Sequence, residues 1–335
     1  MNEQVAELLQ RGLIEPSMSP QASPLVIVLK APDANGVRKL RLAVDYRYVN
    51  KYTVPTVSNI GDIGELIQNV GRARFISVFD ANSGYHQTLV RVSDRGLTSF
   101  VCEKGQFQWL RTPFGMRNSG TTFVRALQQV LEPVRYCTKA YIDDMAVHSD
   151  TWQQHLIDVR AYLCVMQRAG FTLGIKKCEF AKPQVKYIGH LIGSGERRVD
   201  PAKTDKVQGL REPKTKKQVR QLLGFFSFFR EYIPNYSMHA KPLTDLTGKR
   251  TPERVTLDPV ARRALQTLKD LLCKATIEPL FIIDPSKPFS LYVDSCDYAV
   301  GAVLTQGRDS DHAGPARQDY PVAFASAKLT ETQQR

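Results

Sequence analysis

Tyr141-Ile142-Asp143-Asp144, set within YCTKAYIDDMAVHSD (136–150), is the stretch that decides the fold. Apolar runs on either side of an acidic break predict a strand, a tight turn and a returning strand. Within a continuous strand, neighbouring side chains face opposite ways. At a hairpin tip, both carboxylates can be aimed at one point. Two like charges held that close repel unless a cation compensates them. Magnesium prefers oxygen ligands and joins carboxylates to substrate phosphates, so it is the natural partner. For these four residues alone a solvated Asp-Asp turn is the alternative, and the rest of the chain decides between the two.

At 335 residues, 42% of them hydrophobic, the chain has room for two or three units with real cores. No stretch approaches a membrane span, and MNEQVAELLQRG lacks a signal-peptide pattern, so no membrane partner is expected. Cysteines at 102, 137, 164, 178, 273 and 296 show no CxxC pair and no disulfide-framework spacing. They read as reduced thiols of a cytoplasmic protein with nuclear access. The 46 basic and 33 acidic residues leave +13, which favours a polyanionic partner, nucleic acid ahead of membrane. The excess lies in short clusters such as Lys214, Lys216, Lys217 and Arg220, each of which taken singly is an ordinary solvated face.

The opening helix has Val5, Leu8 and Leu9 on one face and stops at Gly12. Two β-rich runs, 25–29 and 40–44, flank a polar turn, and the apolar run 75–79 ends on Asp80. Trp152, Leu156, Val159, Leu163 and Met166 recur at helical spacing and read as core. From Asp200 the texture turns helical. Asp200-Pro201 and Asp258-Pro259 each pair an N-cap residue with proline at the first helical position. Between them Val219, Leu222, Leu223, Phe226 and Phe229 form an apolar stripe halted near Pro234. Strand texture returns after Pro285, with 307–314 as a loop tip.

Asp80 and the Asp143/Asp144 pair each follow an apolar run, so each can stand at a strand edge with its carboxylate exposed. Three such groups suffice for two magnesium ions. The spacing alone is a weak signal; its company is not. RGLIEPSMSPQASPLVIV, LAVDYRYVNK, VFDANSGYHQ, TPFGMRNSGTTF, YIDD, KKCEF, YIGH, LLGFFSFFREYI and KPLTDLT follow one another in order. Together they resemble the reverse transcriptase of gypsy-type LTR retrotransposons, from about Gly12 to the last residue.

That resemblance implies an α+β right-hand polymerase. Fingers and palm are expected to interleave over 1–195, with a helical thumb over 196–275. The N-terminal part of a ribonuclease H-like sheet is expected over 276–335. Asp80, Asp143 and Asp144 become palm carboxylates holding two Mg2+ ions, with a primed RNA or DNA template and deoxynucleoside triphosphates as partners. Arg41, and Lys30 beside it, correspond to fingers residues gripping the triphosphate. The Ala81 and Asn82 amides are placed to cradle phosphate oxygens. Tyr85 resembles the steric gate that refuses a 2′-hydroxyl. Phe114 and Gly115 resemble the segment against the incoming nucleotide, and Tyr187, Ile188, Gly189 and His190 the primer grip. Two departures, Ser119–Val124 and Gly174, are not expected to touch the carboxylates.

LYVDSCDYAVGAVL resembles the first ribonuclease H hairpin, making Asp294 its first metal-binding carboxylate in an incomplete site. Ribonuclease H activity is therefore expected to be absent, and Leu291, Val293 and Val303 to be poorly covered. A polymerase in an element-derived particle is the leading reading. A catalytically silent, truncated nucleic-acid-binding derivative is the alternative.

Overall fold

The computed structural model describes residues 2–29, 38, 40–58, 60–307, 319–330 and 332–334. Helix α1 (Asn2–Gln10) leads into strands β1 (Ile14–Pro16), β2 (Ser23–Leu29) and β3 (Leu40–Val44). Helices α2 (Arg47–Tyr52) and α3 (Ile63–Gly71) precede β4 (Phe75–Asp80), β5 (Phe100–Cys102) and β6 (Gly105–Trp109). Helix α4 (Ser119–Leu131), the hairpin β7 (Thr138–Tyr141) and β8 (Asp144–Ser149), helix α5 (Trp152–Arg168) and β9 (Glu179–Lys182) follow.

The chain divides into two compact units, residues 1–62 with 77–180 and residues 63–76 with 181–335. Packing thus groups the chain differently from the motif boundaries at 195 and 275. Residues 63–76 and 181–195 fold with the helical part, because α3 lies against β11 (His190–Gly193) and β12 (Glu196–Val199).

In the first unit, a five-stranded sheet runs β1-β6-β5-β2-β3. The two β-rich runs of the sequence pair antiparallel in it, Leu25 opposite Val44 and Leu29 opposite Leu40. Its core joins Val5 of α1 to Leu13, Ile14, Phe100, Phe107 and Trp109. The second sheet runs β7-β8-β4-β9. Phe79 of β4 and Met145 and Val147 of β8 point to the side covered by Phe123 and Leu127 of α4 and Tyr162 and Met166 of α5. By strand alternation, Asp80 and Asp144 lie on the opposite face.

Helix α5 corrects one expectation. Trp152, Leu156 and Leu163 of the apolar stripe are 47%, 54% and 38% exposed, whereas His155 and Asp158 are buried with Tyr162 and Met166. Val159 and Met166 of the stripe do pack in the core, but its other members give way to His155 and Asp158, two polar residues that find hydrogen-bond partners on the inner face.

In the second unit, β10 (Val185–Tyr187), β11 and β12 form a meander joined by β13 (Leu280–Phe281). Helices α6 (Pro201–Gln208), α7 (Lys216–Phe228), α8 (Tyr236–Asp245) and α9 (Pro259–Lys274) build its main core. Both predicted caps are made: Asp200 accepts from the Ala202 amide at 3.1 Å and Asp258 from the Ala261 amide at 2.7 Å. Val219, Leu222, Phe226 and Phe229 are buried as the sequence stripe predicts. A fully buried residue of this kind contributes about 1.5–3 kcal/mol. The final sheet runs β14 (Phe289–Cys296), β15 (Ala299–Gly307) and β16 (Asp319–Lys328). Leu291 and Val293 on β14 are 63% and 59% exposed, while β16 buries Val322. From 308 on, the loop expected at 307–314 lies outside the described residues.

His190, at the start of β11, is buried between the rings of Phe228 and Tyr232, and its Nδ1 lies 2.9 Å from the Tyr232 hydroxyl. Burial first, then Arg197 and Lys203, push its pKa down to about 3. Unfolded, the same ring takes a proton near pH 6.5. Its stabilising contribution is therefore present above pH 6.5 and lost as pH falls toward 3. We expect thermal melting to decline over that window and the slope to flatten in His190→Phe. Equal slopes in both proteins would contradict the burial of a neutral ring.

Candidate active site

The β7–β8 hairpin places Tyr141 opposite Asp144 across a two-residue turn of Ile142 and Asp143. Ile142 sits at φ +56, a backbone conformation β-branched residues rarely adopt. A site residue held beside such strain is a common feature of functional turns. Asp143 is exposed and Asp144 half-buried. Asp80 ends β4, the strand next to β8.

Among the described residues, no three His, Cys, Asp or Glu side chains are gathered into a metal cage. Asp80 instead holds a cation of the protein's own. Lys177 Nζ lies 3.0 and 3.1 Å from its two carboxylate oxygens. The donors on β4 and at the β7–β8 turn are hard carboxylate oxygens, and one of them already attracts a positive charge to both its oxygens. That chemistry fits magnesium.

Residues 172–177 are pinned beside Asp80. The Gly174 amide donates to the Asp80 carbonyl at 2.9 Å, and the Asn82 amide to the Thr172 carbonyl at 3.0 Å. This antiparallel bridge corrects two expectations. The Asn82 amide is committed to Thr172 rather than free to cradle phosphate oxygens. Gly174 does touch a carboxylate: a Cβ there would stand 3.4 Å from Asp80 Oδ1. A side chain at this position would start in ordinary van der Waals contact with the Asp80 carboxylate.

Tyr85 lies in the helical turn Gly84–Gln87 just beyond β4. Its ring packs 4.9 Å from Phe114 and 5.6 Å from Phe123. Burial, and then the Asp143 charge, push its pKa up, which places the phenol within the electrostatic reach of the hairpin tip. The structure thus brings Tyr85, Phe114 and Asp143 into one neighbourhood. The second sequence departure bears on it as well. A Cβ at Gly120 would stand 3.4 Å from the Tyr85 hydroxyl, so the small residue spares that oxygen a contact. Asn50 fastens the neighbouring segment, donating to the Gly115 carbonyl at 2.8 Å and accepting from the Arg117 amide at 2.7 Å.

Other predicted residues stand elsewhere. Lys30 lies outside the described residues, as does the side chain of Arg41, whose backbone pairs with Val28. Tyr187, Ile188 and His190 of the second unit are buried, so what that turn offers outward is the backbone around Gly189, at φ +78. Asp294 is exposed on β14, opposite Gly301 of β15. Sequence reasoning gave no site role to Lys177 or Asn50, and it set Gly120, within Ser119–Val124, apart from the carboxylates. The Lys177–Asp80 pair spans 97 positions, and no local pattern announces it.

Residues 29–192 match the family described as reverse transcriptase (RNA-dependent DNA polymerase). Residues 257–335 match the RNase H-like domain found in reverse transcriptase. The Pol polyprotein of transposon opus from Drosophila melanogaster is 33% identical over 346 residues, covering 100% of this chain and 33% of that protein. The corresponding protein of transposon gypsy from the same species is 33% identical over 347 residues, covering 100% and 32%. The transposon Tf2-3 polyprotein of Schizosaccharomyces pombe is 32% identical over 336 residues, covering 99% and 24%. The chain spans a third or less of the length of these relatives. A foamy viral protease-reverse transcriptase solved with double-stranded DNA shares the fold at TM-score 0.83 and 24% identity, over 100% of this chain and 56% of that one. The structure of that viral protein with an RNA/DNA hybrid gives 0.80 and 22%, over 100% and 43%. The chain belongs to the reverse transcriptases of LTR-retrotransposon Pol polyproteins.

If Lys177 stands where a cation belongs, Lys177→Gln removes a competitor for Asp80. Magnesium affinity, read by calorimetry on the protein alone, should rise about two- to fivefold, a modest gain because the pair is solvent-screened. Unchanged or weaker magnesium binding would contradict the stand-in role.

Proposed function

We propose that this chain extends a primer on an RNA or DNA template, as an RNA-directed DNA polymerase. One observation carries the reading: β4 and β8 are neighbours and carry Asp80 and Asp144 on one face, while the Tyr85 phenol feels the charge of Asp143 at the adjoining turn. A metal-dependent phosphoryl-transfer centre needs that combination, acidic ligands beside a ring that bounds the sugar.

Asp80, Asp143 and Asp144 would hold two magnesium ions. When bound, these neutralise phosphate charge and activate the attacking hydroxyl. The remaining work falls to the protein's own groups. Positioning dominates in phosphoryl transfer, where the protein has little covalent chemistry to do. Tyr85 and Phe114, ring against ring, form the wall beneath the deoxyribose, and a 2′-hydroxyl would collide with the phenol. Asn50 holds the Gly115 backbone, and so fixes where Phe114 stands. Arg41, with the fixed donor fork of its guanidinium, and Lys30, as a point charge, bind the triphosphate. The turn at Ile188–Gly189 meets the primer through its backbone. The primer 3′-hydroxyl then displaces pyrophosphate from the α-phosphate of the incoming nucleotide. The +13 charge favours the nucleic acid throughout. The protein works in the cytoplasm, within an element-derived particle.

Primer extension on an RNA template, with magnesium and each nucleotide type, tests the proposal. Templated addition of deoxynucleotides is the expected outcome. Binding of primer–template without extension would instead identify a silent, nucleic-acid-binding derivative.

Two substitutions probe the roles. Asp143→Asn should lower synthesis by about 100-fold or more while primer–template affinity stays within about twofold, because a ligand charge is lost and the basic surface is kept. Full activity in that variant would remove Asp143 from the site. Tyr85→Ala should admit ribonucleotides more readily while deoxynucleotide use stays measurable. Unaltered sugar discrimination in single-nucleotide kinetics would make Tyr85 a packing residue.

A further inference from the structure

Beneath the carboxylate-bearing face, four buried polar side chains form one continuous chain of hydrogen bonds. Ser77 Oγ of β4 lies 2.8 Å from His155 Nε2. His155 Nδ1 lies 3.1 Å from Ser149 Oγ of β8. Ser149 Oγ in turn donates to Asp158 Oδ2 at 2.6 Å, and Gln154 donates to Asp158 Oδ1 at 2.8 Å. Ser77, Ser149, His155 and Asp158 are 0%, 7%, 1% and 2% exposed.

The direction of every bond follows from donor counting. A hydroxyl has one hydrogen, and Ser149 spends it on the carboxylate. Toward His155, Ser149 can therefore only accept, so Nδ1 carries the ring proton. Burial holds the imidazole pKa down, against the opposing pull of Asp158, so the ring is neutral near pH 7. Nε2 is then a lone pair, and it accepts from the Ser77 hydroxyl. One tautomer satisfies the whole set. The composition has the ingredients of a hydrolytic triad, but Ser77 is sealed from solvent and no substrate can reach it. Its work must be mechanical.

The two serines stand on the two strands that carry the ligands. Ser77 is three positions before Asp80 and Ser149 five after Asp144, both odd spacings, so the serines face α5 and the aspartates face away. We propose that His155 is a positioning residue: by tying Ser77 to Ser149 it fixes how far β4 can slide along β8, and hence the separation of Asp80 from Asp144. A one-residue slip would carry each side chain to the other face. The helix is held against the same two strands through the Ser77 and Ser149 bonds, and Thr151 caps its start by accepting from the Gln154 amide. What the fixed separation is for rests on the polymerase reading; that it is fixed by His155 does not.

The test uses the full 335-residue chain. Nitrogen-15 NMR of labelled histidines should find His155 neutral and protonated on Nδ1; an Nε2–H ring would overturn the bond order. Ser77→Ala, His155→Phe and the double variant then form a cycle, read by calorimetric magnesium titration, by primer–template affinity and by melting temperature. Each single change should weaken magnesium binding about five- to tenfold, the scale of one well-made buried hydrogen bond. Primer–template affinity should stay within about twofold. The double variant should bind magnesium no more weakly than the worse single one, since both remove one coupling. A fall in melting temperature with magnesium affinity unmoved, or additive losses in the double variant, would overturn the positioning role. If His155→Phe does not fold, Ser77→Ala removes a single oxygen and decides alone. A parent chain that adds no nucleotide would defeat the polymerase reading, yet the tautomer and the magnesium titration would still decide this one.

Discussion

The pairing of β4 with β8 is the constraint on which the first unit depends. It sets two aspartates on one face of a sheet and an apolar core on the other, with no freedom to change one without the other. Phe79, Met145 and Val147 are held against α4 and α5 by burial, and Asp80 and Asp144 are turned outward by the same alternation. Core packing and carboxylate placement are thus one arrangement read from two sides. The strained turn at Ile142 completes it, carrying Asp143 to the end of the hairpin.

Like charges brought to one edge need an opposite charge, and the protein supplies one. Lys177 reaches both oxygens of Asp80 from the segment that follows α5, and Gly174 lies beside them. Tyr85 registers the same field, its proton held more tightly by burial and by the Asp143 carboxylate. Gly174 and, within the Ser119–Val124 departure, Gly120 therefore lie against the candidate site. At each, an added Cβ would stand in van der Waals contact with a candidate site side chain, Asp80 or Tyr85.

Much of this was legible in the chain. The YIDD turn, the run ending on Asp80, the paired strands at 25–29 and 40–44, and the Asp-Pro caps at 200 and 258 are local signals, and local physics enforces them. What stayed hidden is long-range. The Asp80–Lys177 pair and the bridge between Asn82 and Thr172 join segments that only tertiary packing brings together. Helix α5 shows the limit of periodicity: Trp152, Leu156 and Leu163 look like a core stripe, yet the inner face carries His155 and Asp158. A polar residue whose partners lie on other strands cannot be told from a surface residue by spacing. Likewise the compact units follow contacts of α3 with β11 and β12 that no composition shift marks.

The central claim is that Asp80, Asp143 and Asp144 together hold the ions that a nucleotide's phosphates require. The most direct measurement is an anomalous-scattering map from crystals of the chain grown with primer–template, a non-reactive deoxynucleotide analogue and manganese in place of magnesium. The account predicts two peaks bounded by Asp80, Asp143 and Asp144, with the Lys177 ammonium withdrawn from Asp80. A map without metal at these carboxylates, Lys177 still bridging both Asp80 oxygens beside a bound nucleotide, would contradict it.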